Sequence, residues 1–142
     1  MSASVPASSR SIAVDSGVLV AAIDADDPDH KWARRVLTGL RGYFLTCEAC
    51  ITEAVHLVEN HAPAVQRLGL LIDRMEVVSF GGSIWRAALD DVVRLSPQMD
   101  FADACIVSMV KNRRNAFALT LDRRDFAIYR VPFACPDGDF YL

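Results

Sequence analysis

Residues 11–23, SIAVDSGVLVAAI, decide the predicted fold because they join the chain's first apolar run to its first helix. Residues 12–14 are typical of a short buried strand, and residues 18–23 of the helix that follows it. Asp15 and Ser16 fall at the junction. In a parallel sheet this junction is the carboxyl end of a strand, where open α/β sheets bind their ligands. Either residue can also serve simply as the cap of the helix.

Length and composition indicate one globular domain over residues 11–142. The chain has 142 residues, of which 52% are hydrophobic, and this suffices for a sizeable core. Residues 1–10 are small and polar and lack the apolar centre of a secretory signal, so we expect a flexible tail. No apolar run approaches the ~20 residues of a membrane span. We therefore expect a cytoplasmic protein with no membrane contact.

Charge and cysteine content narrow the class further. A net charge of −3 excludes a generally basic nucleic-acid coat protein, although it leaves room for a local basic groove. The 4 cysteines are too few for a dense disulfide framework in a chain of this size, so we expect reduced thiols.

Short apolar strands alternate with pairs of amphipathic helices along the chain. The predicted order is strand, helix, helix, strand, helix, helix, strand, helix, helix, strand, strand. The second helix is predicted to begin at Pro28 behind an Asp27 cap, and the last two strands to cover residues 116–120 and 126–131. This alternation implies an α/β fold, with a mostly parallel sheet of four to five strands between helices on both faces.

Acidic side chains fall at corresponding places in this pattern. Asp15 and Asp122 each follow a short strand, so they face one another if the first and fourth strands are neighbours. Glu53 and Asp103 lie early in helices close to the same edge of the sheet. Carboxylates brought together need positive charge among them to stay ionised. Oxygen ligands without an organised His or Cys set favour Mg²⁺ or Mn²⁺ over Zn²⁺.

Four acidic segments, in their order and spacing, carry a resemblance to a known family. VDSGVLVAA, ITEAVHLVE, MDFADACIVSM and LTLDRRDF resemble the four acidic segments of the PIN-domain family, which includes the toxin ribonucleases of VapC type. The ordered set spans almost the whole chain beyond residue 10. Gly17 and the CEAC before Glu53 depart from the usual family pattern, but neither removes an acid.

The resemblance implies a compact three-layer α/β/α sandwich that cleaves RNA with a divalent metal, leaving a 5′-phosphate and a 3′-hydroxyl. It also implies a homodimer and, for a toxin, a cognate antitoxin protein of a type II pair. Carried over by motif position, the catalytic and metal-binding acids are Asp15, Glu53, Asp103 and Asp122. Asp100 and Asp125 are auxiliaries, and Ser16 and Thr120 support the first and last acids by hydrogen bonds.

Basic residues near the last acidic motif are candidates for holding the RNA backbone. They are Arg123 and Arg124 beside Asp122, and Lys111, Arg113 and Arg114 before the last core strand. A solvated arginine face explains them equally well.

Other classes of protein remain open. Cys47 and Cys50 form a CxxC at a helix start, the local layout of a thiol oxidoreductase, although this leaves the acids unexplained. A phosphoacceptor signalling domain also clusters acids at strand ends, but it needs a lysine after a late strand. A PIN-domain nuclease that processes RNA outside a toxin system, or a PIN-like module that only binds, would share the acidic motifs.

Overall fold

The computed structural model describes residues 10–141, with only the backbone of residues 138–141. The predicted tail, residues 1–10, therefore lies outside the described residues except for Arg10. The helices and strands, in chain order, are β1 Ser11–Val14, α1 Ser16–Ile23, α2 His30–Gly39, β2 Tyr43–Cys47, α3 Glu48–Leu57, α4 Ala62–Ile72, β3 Glu76–Val78, α5 Ile84–Arg94, α6 Phe101–Lys111, β4 Ala116–Leu119, α7 Arg123–Tyr129, β5 Phe133–Cys135 and β6 Gly138–Tyr141.

The strands form one sheet in the order β3-β2-β1-β4-β5-β6. The first five are mutually parallel, which confirms the predicted mostly parallel sheet, and β6 adds an antiparallel edge beside β5. β1 pairs directly with β4, in a register that places Val14 opposite Leu119. β2 and β3 lie on one side of β1, and β4, β5 and β6 lie on its other side. The carboxyl ends of β1 and β4 therefore flank the switch point of the sheet.

Helices cover both faces of the sheet, and each face has its own hydrophobic core. Along β1, Ile12 and Val14 belong to one core while Ala13 belongs to the other, as the alternation of side chains along a strand requires. The first core packs α1, α2 and α4 on the sheet, and the second packs α5, α6 and α7. No helix within residues 10–141 has the length and apolar character needed to cross a membrane.

The predicted edge strand at residues 126–131 is wrong, because these residues lie largely in α7. The Asp122 carboxylate accepts a hydrogen bond from the Asp125 amide at 3.0 Å and caps the helix, and Arg130 ends it in the left-handed conformation. Phe126 and Tyr129, three residues apart, share the buried side. A short apolar run does not distinguish strand from helix by period alone, so the sequence pattern was ambiguous here. The chain instead returns to the sheet in β5.

The predicted start of the second helix is also wrong. The Asp27 carboxylate accepts a hydrogen bond from the Asp29 amide at 2.8 Å, which folds Asp27, Pro28 and Asp29 into a turn. The helix begins only at His30, whose Nδ1 lies 2.7 Å from the carbonyl oxygen of Ala21 at the end of α1. The local turn thus replaces the predicted cap.

Candidate functional site

A cleft of about 420 Å³ opens at the carboxyl edge of the sheet, beside the switch point between β1 and β4. Its described lining contains no lysine or arginine. All six acids predicted for the site line its wall, namely Asp15, Glu53, Asp100, Asp103, Asp122 and Asp125. The fold therefore brings together acids that are more than 100 residues apart in sequence.

Three of these acids cap helices that begin at the cleft. Asp15 caps α1 and accepts a hydrogen bond from the Ser16 amide, Asp100 caps α6 and accepts one from the Asp103 amide, and Asp122 caps α7. Capping and a place in the cleft are therefore not alternatives in this chain. The positive ends of three helices point toward one concentration of negative charge, which helps to offset its repulsion.

Asp15 is the most enclosed of the acids, with 8% of its surface exposed. Its Oδ2 accepts a hydrogen bond from Thr120 Oγ1 at 2.9 Å, and its Oδ1 accepts one from the Ser16 amide at 2.8 Å. Thr120 is fully buried and also accepts a hydrogen bond from the Asp122 amide at 3.0 Å. Burial nevertheless outweighs these bonds and raises the pKa of Asp15 to about 6.

Glu53 reaches the cleft from the second turn of α3, where it is half-buried. Ser16 Oγ donates a hydrogen bond to Glu53 Oε1 at 2.9 Å. Ser16 therefore contacts two acids, one through its amide and one through its hydroxyl. Ser16 was expected to support Asp15, and it does so through its amide, while its hydroxyl bonds Glu53. Thr120 was expected to support the last acid, but its hydroxyl donates to Asp15 and meets Asp122 only through the Asp122 amide.

Asp103 lies in the first turn of α6 and is held by a residue outside the acidic motifs. Tyr129 donates a hydrogen bond from its hydroxyl to Asp103 Oδ2 at 2.8 Å. Burial raises the pKa of Asp103 to about 7, and the Tyr129 bond opposes this rise. In the neighbouring α7, the hydrogen bond with Asp122 and partial burial raise the pKa of Asp125. Protons are therefore retained in the cleft close to neutral pH.

The sequence did not reveal Tyr129 and Gln98 as parts of the site. The Tyr129 hydroxyl also lies 3.1 Å from the Gln98 carbonyl oxygen, so it ties α7 to the segment before α6. The incorrect prediction of a strand at residues 126–131 obscured this role, because Tyr129 reaches Asp103 from the helix α7. The spacing of Asp122, Phe126 and Tyr129 carried a weak helical signal that favoured this arrangement.

The donor chemistry of the cleft suits a hard divalent cation. Six carboxylates without a lysine or arginine in the described lining match the oxygen ligands that Mg²⁺ and Mn²⁺ prefer. Over residues 10–137, whose side chains the structure describes, no three acidic, histidine or cysteine side chains are already grouped as ligands of one ion. The residues fit the type of ion through their chemistry and their common cleft, whereas their assignment as ligands stays a prediction.

The candidate RNA-binding residues fall at two separate places. Arg123 and Arg124 begin α7 directly after Asp122 and are exposed beside the acidic cleft. Lys111 ends α6, and Arg113 and Arg114 lie between α6 and β4, at the amino ends of the strands. This is the opposite edge of the sheet, so the expectation that both groups surround the acidic centre is wrong for these three. Arg113 forms an ion pair there with Glu76, with the closest atoms 2.6 Å apart.

The CxxC thiols lie in the core. Cys47, Cys50 and Cys105 are 1%, 0% and 0% exposed, and Cys47 Sγ lies 3.6 Å from Cys50 Sγ. Hydrogen bonds with Cys105 and Cys50 lower the pKa of Cys47, and the bond to Cys47, together with burial, raises the pKa of Cys50 and of Cys105; Cys47 itself is buried. Thiol exchange requires an accessible thiolate, so this geometry gives a redox site no support. The thiols pack as small core residues.

Comparison with known proteins places this geometry in context. The PIN domain family model matches residues 12–133. No curated protein sequence matches the chain. The fold is similar to that of VapC20 from Mycobacterium tuberculosis, described as a sarcin-ricin loop cleaving toxin, with a TM-score of 0.72 and 21% identity over 82% of this chain and 94% of that one. It is also similar to VapBC2 from Rickettsia felis, solved bound to a DNA fragment from its promoter, with a TM-score of 0.61 and 14% identity over 88% of this chain and 98% of that one.

At these identities the two structures establish the shared fold alone. The family model rests on the sequence itself. The residues it matches include all four acidic motifs and the parallel strands from β1, apart from Ser11, to β4, and they end at the first residue of β5. From these observations we conclude that this chain belongs to the PIN domain family.

Proposed function

We propose that this protein is a ribonuclease that hydrolyses phosphodiester bonds of RNA with Mg²⁺ or Mn²⁺. The observation that carries the proposal is the convergence of six carboxylates on one cleft at the carboxyl edge of the sheet. Membership of the PIN domain family supports a nuclease. The chemistry of the donors supports a divalent metal, because carboxylates crowded without cations of their own bind such ions readily.

In this proposal Asp15, Glu53, Asp103 and Asp122 hold the metal, and Asp100 and Asp125 assist them. When bound, Mg²⁺ or Mn²⁺ neutralises charge on the scissile phosphate and lowers the pKa of a water. Thr120 fixes the orientation of the Asp15 carboxylate, and Ser16 fixes that of Glu53, through the hydrogen bonds described above. These neutral hydroxyls orient the acids without adding charge.

Two of the cleft acids whose pKa values are raised also handle protons in this proposal. Asp15 and Asp103, with pKa values of about 6 and 7, retain protons near neutrality while the cleft holds no cation. Both must lose these protons when the metal binds. Arg123 and Arg124, exposed at the start of α7, are placed to contact the phosphates that flank the scissile bond.

Incubation with RNA tests this function directly. We expect the protein to cleave a panel of transfer RNA, ribosomal RNA fragments and total RNA in the presence of Mg²⁺ or Mn²⁺, and to stop when EDTA is added. The products should carry a 5′-phosphate and a 3′-hydroxyl, which end-labelling with and without phosphatase distinguishes. Cleavage that continues unchanged in EDTA would contradict the proposal, because the carboxylates would then not act through a metal.

We further propose that the protein is the toxin of a type II toxin-antitoxin pair and works as a cytoplasmic homodimer. Similarity of fold to VapC20 and VapBC2 supports the toxin, whereas RNA processing outside a toxin system is the alternative. An apolar stripe on α5 supports the homodimer. Its members, spaced four residues apart, are 42%, 37% and 77% exposed, namely Trp85, Leu89 and Val93.

A second surface suits the antitoxin. A cavity of about 700 Å³ lies among α1, α2 and α4, at the carboxyl end of α1, whereas Ser16 begins this helix. Exposed Leu70 and half-buried Leu71 line it together with Arg34, Arg67 and Arg74. An extended segment carrying acidic and apolar side chains complements these walls in charge and polarity.

Native mass measurement tests both assemblies in one experiment. We expect the chain alone to have the mass of a dimer, and co-expression with the small protein encoded beside it to give a larger complex with suppressed RNA cleavage. Leu70→Glu with Arg67→Glu should prevent the larger complex without changing the mass of the chain alone. An active monomer with no such neighbour would instead favour the RNA-processing alternative.

A further inference from the structure

A cluster of four basic side chains lines a second cavity, at the edge of the sheet opposite the acidic cleft. The cavity has a volume of about 370 Å³, and its cations are Arg10, Lys111, Arg113 and Arg130. The residues described as lining it include no aspartate or glutamate. We call this the amino-edge pocket, because its cations lie before β1, between α6 and β4, and before β5.

The parallel sheet itself separates this pocket from the acids. Asp15 and Asp122 follow the carboxyl ends of β1 and β4, while Arg10 and Arg113 precede the amino ends of the same strands. Each strand has four residues, and a strand rises about 3.3 Å per residue, so the two sites are more than about 10 Å apart. The four cations of this pocket thus lie away from the acidic cleft, in a protein whose net charge is −3.

The cations of the amino-edge pocket suit phosphate groups. The Arg10 guanidinium lies 4.8 Å from the centroid of the Phe117 ring, which orients its planar group. Arg130 and Lys111 are exposed. Arg113 donates hydrogen bonds from both terminal nitrogens to Glu76, at 3.4 and 2.6 Å, so a phosphate must compete with Glu76 for this guanidinium. The two side chains are 33% and 53% exposed, and solvent therefore weakens the pair. Arginine forks bind phosphate oxygens in pairs, which makes a phosphodiester backbone a fitting ligand.

We propose that the amino-edge pocket binds backbone phosphates of an RNA whose scissile bond occupies the acidic cleft. This inference rests on the proposed ribonuclease function and adds a substrate class to it, a folded RNA large enough to contact both edges of the sheet. Phosphates in a duplex follow one another by about 3.4 Å per strand, so a stem of about ten base pairs spans both sites. A short oligonucleotide does not.

The chain's two lysines provide a test with an internal control. Lys111 lines the amino-edge pocket, and Lys31 lies on α2; both are exposed. We would label the full chain with an amine-reactive reagent in EDTA, with and without an RNA hairpin of about ten base pairs, and read each lysine by mass spectrometry. RNA should protect Lys111 several-fold and leave Lys31 unchanged. Equal labelling of Lys111 with and without RNA would overturn the proposal.

Matched double variants then measure how much the amino-edge pocket contributes to the affinity for the RNA hairpin. Lys111→Gln with Arg130→Asn removes two charges from the pocket, and asparagine tolerates the left-handed backbone of Arg130. Lys31→Gln with Arg35→Gln removes two exposed charges from α2. In EDTA, the first pair should weaken hairpin binding about tenfold and reduce its salt slope by about 1 to 2, while the second changes affinity less than twofold. Equal losses of hairpin affinity in the two double variants would mean that RNA is attracted by the general charge of the protein, and would overturn the assignment of the pocket as an RNA-binding site.

A small anion is the other ligand that this chemistry admits. Pyrophosphate should compete with the hairpin if the RNA backbone occupies the pocket, and we would measure this competition as a loss of bound RNA in EDTA. Protection of Lys111 by pyrophosphate alone, with none from RNA, would overturn the assignment to RNA. If RNA protects Lys111 but the protein never cleaves RNA, the proposed ribonuclease function is refuted and RNA binding in the amino-edge pocket is retained. If the protein cleaves RNA but RNA does not protect Lys111, the ribonuclease function is retained and RNA binding in the pocket is refuted.

Discussion

Asp15→Asn is expected to abolish metal-dependent RNA cleavage and Mn²⁺ binding while leaving the protein folded. A carboxylate that holds the ion contributes several kcal/mol to catalysis, so the rate should fall on the order of 10³-fold. The stability of the fold should increase, because the substitution removes a buried carboxyl group whose pKa burial has raised to about 6. Asparagine keeps the acceptor for the Ser16 amide but not the one for Thr120 Oγ1. We expect the free energy of unfolding at pH 8 to rise by up to about 2 kcal/mol.

An exposed aspartate on the same fold provides the control. Asp90→Asn on α5 removes the same charge from a residue that lies outside the cleft, 3.8 Å from Arg86, and should change neither activity nor Mn²⁺ affinity. Titration calorimetry and thermal denaturation, run side by side on the two variants, measure both effects. Wild-type Mn²⁺ affinity in Asp15→Asn would remove Asp15 from the proposed ligands. A loss of folding in Asp15→Asn would show instead that its hydrogen bonds outweigh its buried charge.

Mn²⁺ affinity is expected to rise steeply with pH between about 5 and 8, with one proton displaced from each of Asp15 and Asp103. Their pKa values of about 6 and 7 place the titration in this interval, and ion binding favours the charged form of both. Titration calorimetry in buffers of different ionisation enthalpy counts the released protons. An affinity independent of pH from 5 to 8 would contradict the raised pKa values.

The same pKa values set the stability of the metal-free protein. The folded pKa of each acid lies above its usual value of 3.8, so the native state binds more protons than the unfolded chain between about pH 4 and 7. Their stabilising effect is complete below pH 4 and is lost as pH rises through 6 and 7. For Asp15 the loss amounts to up to about 3 kcal/mol. The stability difference between wild type and Asp15→Asn, followed against pH without and with saturating Mn²⁺, isolates this effect.

Tyr129→Phe separates the hydrogen bond from the charge. When the Tyr129 hydroxyl is removed, Asp103 loses the hydrogen bond that opposes the rise of its pKa. The pH at which Mn²⁺ binds half-maximally should therefore shift upward. Affinity at pH 8.5 should be little changed, since Asp103 is ionised there in both proteins. A uniform loss of affinity at every pH would indicate a structural role instead.

Parts of the site could be predicted because they depend on local rules. The acids follow strands or open helices, and these junctions can be found from apolar period and capping chemistry alone. Asp15 and Asp100 were therefore found at their helix starts, whereas Asp122 was found only as the residue after a strand, because the helix that it caps was predicted as a strand. The sequence placed Asp15 and Asp122 together only on the condition that the first and fourth strands are neighbours, and the structure shows that β1 pairs with β4.

The misassigned residues show where local rules end. Residues 126–131 carried apolar side chains compatible with strand or helix, and burial of Phe126 and Tyr129 against α6 and the sheet decided for the helix. Lys111, Arg113 and Arg114 precede a strand whose far end holds an acid, yet sequence distance did not reveal that the strand carries them to the opposite edge. The roles of the site residues remain predictions that the experiments above address.

The sequence by itself determined the class of fold, the family and the set of acids, because strand and helix periods, helix caps and ordered motifs are written in short segments. Only the tertiary structure decided which side chains contact these acids, such as Tyr129 on Asp103 and Ser16 on Glu53. It also decided that Arg10, Lys111, Arg113 and Arg130 lie at the edge of the sheet opposite the acidic cleft, whereas Arg123 and Arg124 lie beside the cleft. The reason is that pKa values, hydrogen bonds and local charge depend on burial and on distances between residues far apart in the chain, which no local pattern encodes.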